Sequence, residues 1–174
     1  MKRLFRIIAA VIAALALVSS LACSGGKKPQ TVDATAEPGG FGFSTTDVNG
    51  DPIAFTDFSD KKVIMINFWE TWCGPCVNEL PDLQKIYEKY EGEGLVIIGV
   101  YSSSNKADVT SLVNKVGITY PIMECVSSLE GFRTEYVPTT VFFDGAGNFI
   151  GSTLVGSRSF EAWDGVVSSL LEKQ

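Results

Sequence analysis

Val63-Ile64-Met65-Ile66-Asn67-Phe68-Trp69, followed at once by Glu70-Thr71-Trp72-Cys73-Gly74-Pro75-Cys76, is the stretch that decides the architecture. The first seven residues are nearly all apolar and rich in β-branched side chains, as in a strand covered on both faces. Beyond them, Leu80, Leu83, Ile86, Tyr87 and Tyr90 fall on one helical face. That spacing predicts a helix from about Gly74 to Tyr90, kinked near Pro81. Cys73 and Cys76 therefore stand where a buried strand hands over to a helix. At the cap and third positions of that helix, two sulfurs lie one turn apart. A disulfide with Cα atoms roughly 5.5 Å apart then fits.

Position also sets reactivity. Cys73 meets free backbone N–H groups and the positive end of the helix dipole, and both favour the thiolate. Cys76 lies further into the helix and is expected to be more buried and to resolve a mixed disulfide. Pro75 sits early in the helix, where its missing N–H is harmless. Two alternatives compete: a zinc knuckle and a pair of inert core cysteines. Zinc asks for four ligands, and the chain has no histidine and no second CxxC. No metal site is expected.

Outward from the motif, Leu95–Tyr101 reads as a second buried strand. Val109, Leu112, Val113 and Val116 mark a helix ended by Gly117. Tyr120–Met123 reads as a short strand and Ser127–Tyr136 as a short helix. Thr139–Phe143 and Asn148–Leu154 flank the turn Asp144-Gly145-Ala146-Gly147, and Phe160, Trp163, Val166, Val167, Leu170 and Leu171 stripe a last helix. Upstream, Phe41–Asp47 and Pro52–Phe55 flank Asn49-Gly50, a hairpin turn. Asp47 to Asp51 superficially suggests a calcium loop, but Pro52 and Phe58 occupy its glycine and glutamate positions. The class predicted is α/β: a central mixed sheet flanked by helices, parallel where βαβ units run and antiparallel at the closing hairpin.

Composition bounds the function. The chain has 174 residues, room for about one domain. Its net charge of −6 disfavours a phosphate-tracking role, so no nucleic-acid partner is expected. The absence of histidine removes His-based acid/base and ligand chemistry. Residues 1–22 read as a signal peptide: Lys2, Arg3 and Arg6, then the apolar run Leu4 to Val18, then small residues. Ser20-Leu21-Ala22-Cys23 resembles a bacterial lipobox, which would make Cys23 the lipidated residue; ordinary cleavage nearby or an uncleaved anchor are the alternatives. Residues 23–40 read as a flexible tether, and 41–174 as the folded domain.

The run Asn67 to Cys76, continued by Glu79-Leu80-Pro81 and by the later Val137-Pro138-Thr139-Thr140, resembles the TlpA/ResA-like branch of thioredoxin-fold proteins. The likeness covers about Phe41 to the C-terminus. It includes a βα insertion near residues 105–123. It implies a thioredoxin fold and extracytoplasmic, membrane-anchored thiol–disulfide exchange without a cofactor. The implied substrates are disulfide-containing proteins, apocytochrome c among them. The implied electron source is a membrane thiol relay of CcdA/DsbD type. It further implies a cis Pro138 facing the disulfide, Val137 pairing with substrate backbone, and Trp72, Gly74 and Pro75 at the docking surface. Glu79 is implied as a carboxylate that shuttles a proton near the thiols; the alternative is a solvated helix residue. Asn67 replaces the buried aspartate usual in thioredoxins. Glu70 stands where the family usually has a small residue, and its charge beside Cys73 is expected to oppose thiolate formation.

Rival readings use the same thiols. One is Cu(I) binding, with Met65 or Met123 adding a thioether. Another is a thiol peroxidase, which needs a threonine where Glu70 stands. Cys125 follows the Tyr120–Met123 strand and is expected on the same sheet edge as Cys73, as a third redox thiol, a partner for an intermolecular bridge, or an inert small hydrophobe.

Overall fold

The structure, a computed structural model, describes residues 41–174. The predicted signal peptide, the tether and Cys23 lie outside the described residues. A short hairpin of β1 (Ser44–Thr46) and β2 (Pro52–Ala54) comes first. Its turn is held by the Asp47 carboxylate, which accepts from the N–H groups of Asn49 (2.8 Å) and Asp51 (2.9 Å). These acidic residues therefore build a turn.

The main sheet has five strands in the order β5-β4-β3-β6-β7. They are β3 (Val63–Phe68), β4 (Leu95–Tyr101), β5 (Ile122–Glu124), β6 (Thr139–Phe143) and β7 (Phe149–Val155). β3, β4 and β5 run parallel, while β6 and β7 are antiparallel. The helices are α1 (Gly74–Tyr90), α2 (Lys106–Val116) and α3 (Phe160–Leu171). Gly117, at φ +80°, ends α2 in the left-handed region that glycine reaches without steric cost.

Both sheet faces are covered, as the continuous apolar runs require. Val63 and Met65 of β3 point to the side where Leu80, Leu83 and Ile86 of α1, Val109 and Val113 of α2, and Trp163 and Val167 of α3 pack. Ile64, Ile66 and Phe68 point to the other side, against Phe43, Ile53, Phe55 and Leu129. An aromatic cluster fills this second face, where Phe41 stacks on Phe143 at 4.5 Å between ring centroids.

The expected helix over Ser127–Tyr136 is a 3-10 turn that stops at Phe132. Past it, Thr134 Oγ accepts from the Tyr136 N–H and Thr139 Oγ donates to the Tyr136 carbonyl. Hydroxyls thus replace a helical ladder, and the residue before Pro138 is sterically kept out of helix. The third parallel strand starts at Ile122 instead of Tyr120, just past Pro121, which has no N–H to give to a ladder.

Candidate active site

β3 delivers Trp69 into the core, and the chain turns through Glu70–Trp72 to Cys73, the N-cap of α1. Cys73 and Cys76 are joined by a disulfide with 5.2 Å between Cα atoms. The Cys76 N–H donates to Cys73 Sγ at 3.2 Å. Pro75 occupies the first turn, as its missing donor permits. Both sulfurs are buried, Cys76 completely. A Cβ placed on Gly74 would meet nothing within 4 Å, so the bridge has an open flank there.

The start of β6 closes the other flank. The Val137–Pro138 peptide is cis, and the Val137 carbonyl oxygen lies 3.5 Å from Cys73 Sγ. Trp72 is 68% exposed, its Nε1 donating to Ser103 Oγ at 3.2 Å. Tyr136 is 67% exposed and stands next to Val137. An aromatic residue two positions before a proline carries no distinctive pattern in the sequence, so only the fold brings Tyr136 to this site.

Glu79, one turn beyond Cys76, is only 3% exposed, which removes the solvated alternative. Its Oε1 accepts from Asn67 Nδ2 at 3.2 Å. Its Oε2 accepts from the Arg158 N–H at 2.9 Å and from Trp163 Nε1 at 3.4 Å. Burial pushes its pKa above the ordinary carboxylate value, partly offset by these donors and by the Arg158 charge. Trp163 is core, as expected, and also a donor to this carboxylate.

Glu70 differs from its expectation. It too is only 3% exposed, and its carboxylate turns to the segment after β4. Oε1 accepts from the N–H groups of Ser102 (2.9 Å) and Ser103 (3.0 Å), and Oε2 from the Ser104 N–H (2.8 Å) and hydroxyl (2.6 Å). Burial alone would raise its pKa, but these four donors bring it below the ordinary value. Its charge is absorbed there instead of facing Cys73 unopposed. Ser104 Oγ also accepts from the Thr71 N–H at 2.8 Å, which ties the loop to the dithiol turn. The signal in the sequence was the run Ser102-Ser103-Ser104 directly after a buried strand.

Cys125 is half-buried at the end of β5, its N–H bonded to the Tyr101 carbonyl at 2.7 Å. Burial, reinforced by Glu130, pushes its thiol up to about 11. It is therefore a protonated thiol at neutral pH, a poor nucleophile. Met65 and Met123 are fully buried on opposite faces of the sheet, so the two thioethers do not meet at one site. Among the described residues no group of three Cys, Asp or Glu side chains could hold a metal ion.

A mixed sheet of this order, a dithiol at the cap of the first long helix and a cis-proline loop against its outer sulfur define a thioredoxin-fold thiol–disulfide oxidoreductase. Comparison with known proteins agrees. Residues 40–148 match the AhpC/TSA family, and the chain belongs to that family. The thiol-disulfide oxidoreductase ResA of Bacillus thuringiensis (strain Al Hakam) is 28% identical over 130 residues, 74% of each chain. ResA of Geobacillus kaustophilus (strain HTA426) is 32% identical over 104 residues, 59% of each chain. The crystal structure of a thiol:disulfide interchange protein from Chlorobium tepidum TLS has a TM-score of 0.69 at 27% identity, covering 76% of this chain and 95% of that one. The chain is thus a thiol–disulfide oxidoreductase with Cys73 and Cys76 as its redox pair.

Proposed function

We propose that this oxidoreductase works outside the cytoplasm, lipid-anchored through Cys23, and reduces protein disulfides. The Cys73 thiolate attacks one sulfur of a substrate disulfide, forming a mixed disulfide and releasing the first substrate thiolate. Glu79 takes the proton from Cys76. The Cys76 thiolate then attacks Cys73 Sγ, which closes the internal bridge and frees the second substrate thiolate. Two electrons leave the pair for the substrate, so two thiols are required. Substrate backbone lies along Val137 beside cis Pro138, over the open flank at Gly74 and Pro75, with Trp72 as an apolar contact.

The observation that carries this reading is the setting of the Cys73 sulfur. It accepts from the helix-start N–H of Cys76 and lies 3.5 Å from the Val137 carbonyl. A nucleophile stabilised at a helix N-terminus, next to a backbone edge open to pairing, suits an extended polypeptide. Cytochrome c maturation supplies a fitting substrate, apocytochrome c, and a membrane relay of CcdA/DsbD type a fitting electron source. Among the described residues no helix is long and apolar enough to cross a membrane, so attachment falls to the N-terminal segment in this reading.

Redox titration of the full chain tests the direction. A potential near about −270 mV supports a reductase, whereas one near about −120 mV marks an oxidant and ends this reading. C76S is expected to accumulate mixed disulfides through Cys73, and C73S none.

A further inference from the structure

The turn between β7 and α3 carries three contacts that converge on the redox site. The Gly156 N–H donates to the carbonyl of cis Pro138 at 2.9 Å. The Arg158 N–H donates to Glu79 Oε2 at 2.9 Å. The Arg158 guanidinium donates back to the Gly156 carbonyl at 2.6 Å and lies 5.2 Å over the ring of Trp163, whose Nε1 bonds the same Glu79 oxygen. Gly156 has φ +88°, which a residue with a Cβ adopts only with strain. The side chain of Arg158 thus folds across its own turn and clamps it to α3. The clamped turn aims one backbone donor at the proline loop and another at the carboxylate.

We propose that Arg158 is a positioning residue of the redox site: its guanidinium locks the β7–α3 turn against Trp163, holds the backbone donor on Glu79 Oε2, and supplies the positive charge that keeps Glu79 able to accept the Cys76 proton. This rests on the assignment of Glu79 as that acceptor. The groups facing Glu79 are few. Asn67 from β3 and Trp163 from α3 are neutral donors. The Tyr120 phenol, ahead of β5, is buried and feels the Glu79 charge. Cys76 lies one turn earlier on α1. Arg158 is the cation among them, and it opposes the penalty that burial places on the carboxylate. A charge held over the indole that bonds Glu79 Oε2, in the turn whose N–H bonds the same oxygen, stabilises the carboxylate.

The test compares R158M, R158K, E79Q and R158M/E79Q in the full chain. Two readouts are used: the pH titration of the Glu79 carboxyl carbon by NMR, and the pH profile of exchange with a small aliphatic disulfide. In R158M the Glu79 ionisation constant is expected to fall about three- to tenfold, and the exchange profile to move to higher pH with it. R158K is expected to recover at least half of both shifts. In the E79Q background R158M should leave the profile where E79Q put it. If the Glu79 titration is the same in R158M as in the parent, or if R158M moves the profile equally with Gln at position 79, the role of Arg158 is overturned. If E79Q does not alter the profile, the acceptor role of Glu79 fails instead, and the carbon titration still judges Arg158. R158Q replaces R158M should the latter lose its circular-dichroism signature.

Discussion

Glu79 is a buried acid whose hydrogen-bond partners suit its ionised form while its low-dielectric surroundings oppose that form. Burial raises its folded-state pKa above the unfolded one. Its contribution to stability is therefore fully present below the unfolded pKa and is lost as pH rises through the raised folded value. At neutral and alkaline pH the ionised group works against folding. E79Q is thus expected to melt at a higher temperature than the parent at about pH 8, with the difference vanishing towards roughly pH 4. Exchange at neutral pH should fall by roughly 10²-fold, the lower end of what a positioned acid or base contributes. Thermal scans at the two pH values, paired with rates, decide it. An equal change in melting temperature at both would mean altered packing, not removed charge. Asn67 fits the same picture. Its Nδ2 donates to Glu79 and to Thr140 Oγ, while its Oδ1 has no protein partner. An amide that turns over can donate to the carboxylate and accept from the acid, so it follows either protonation state. Aspartate could not donate to the carboxylate, and N67D is expected to drive the Glu79 titration further upward through like-charge repulsion.

Between elements, the contact that matters most to the site is the one from Glu70 to the segment joining β4 to α2. Three N–H groups and a hydroxyl converge on one buried carboxylate, and the same segment holds Thr71 and the Trp72 indole. E70A leaves those donors without their acceptor and should cost about 2–3 kcal/mol in denaturant unfolding. Because the Glu70 pKa is lowered in the folded state, its stabilisation is present above the unfolded pKa and lost as pH falls through the folded one. The gap between parent and E70A should therefore narrow in acid, and a gap that stays constant with pH would argue against the charge. The elements themselves were largely legible in the sequence. The helix Gly74–Tyr90 and the strand Leu95–Tyr101 match their predicted bounds, because a sustained 3.6-residue stripe and an unbroken apolar run each have one physical solution. The cap position of Cys73 followed from the same pattern. The ties that tune the site were not legible. Glu70 meets donors more than 30 residues away. Arg158 reaches Glu79 across 79 residues, through a backbone N–H that every non-proline residue carries. Local periodicity holds no record of such contacts.

At the scale of the molecule, the disulfide opens at one edge of the sheet, where β3 ends, α1 begins and the Val137–Pro138 peptide enters β6. Two of the four large apolar side chains that the described residues leave exposed, Trp72 and Tyr136, adjoin this opening: one precedes Cys73, the other precedes Val137. The sulfurs and Pro138 themselves are buried. Exposed aromatic rings bring a large contact area with little rotamer entropy to lose, which favours them as docking surfaces. On the proposed mode of binding, a polypeptide laid along Val137 runs beside both exposed rings, whereas a small disulfide reagent offers them little surface to grip. W72A and Y136A should therefore each raise KM for a protein disulfide about tenfold, the equivalent of roughly 1.4 kcal/mol of lost contact. The rate with a small aliphatic disulfide should stay within about twofold of the parent, since neither ring is placed to act on the sulfurs. The double variant should lose close to the product of the two effects, because the rings belong to different loops and act on different parts of the bound chain. Steady-state kinetics with both substrates separates docking from chemistry. Equal losses for the small and the protein disulfide would show that the rings hold the dithiol itself in place, and the polypeptide groove would then have to be sought on another side of the bridge.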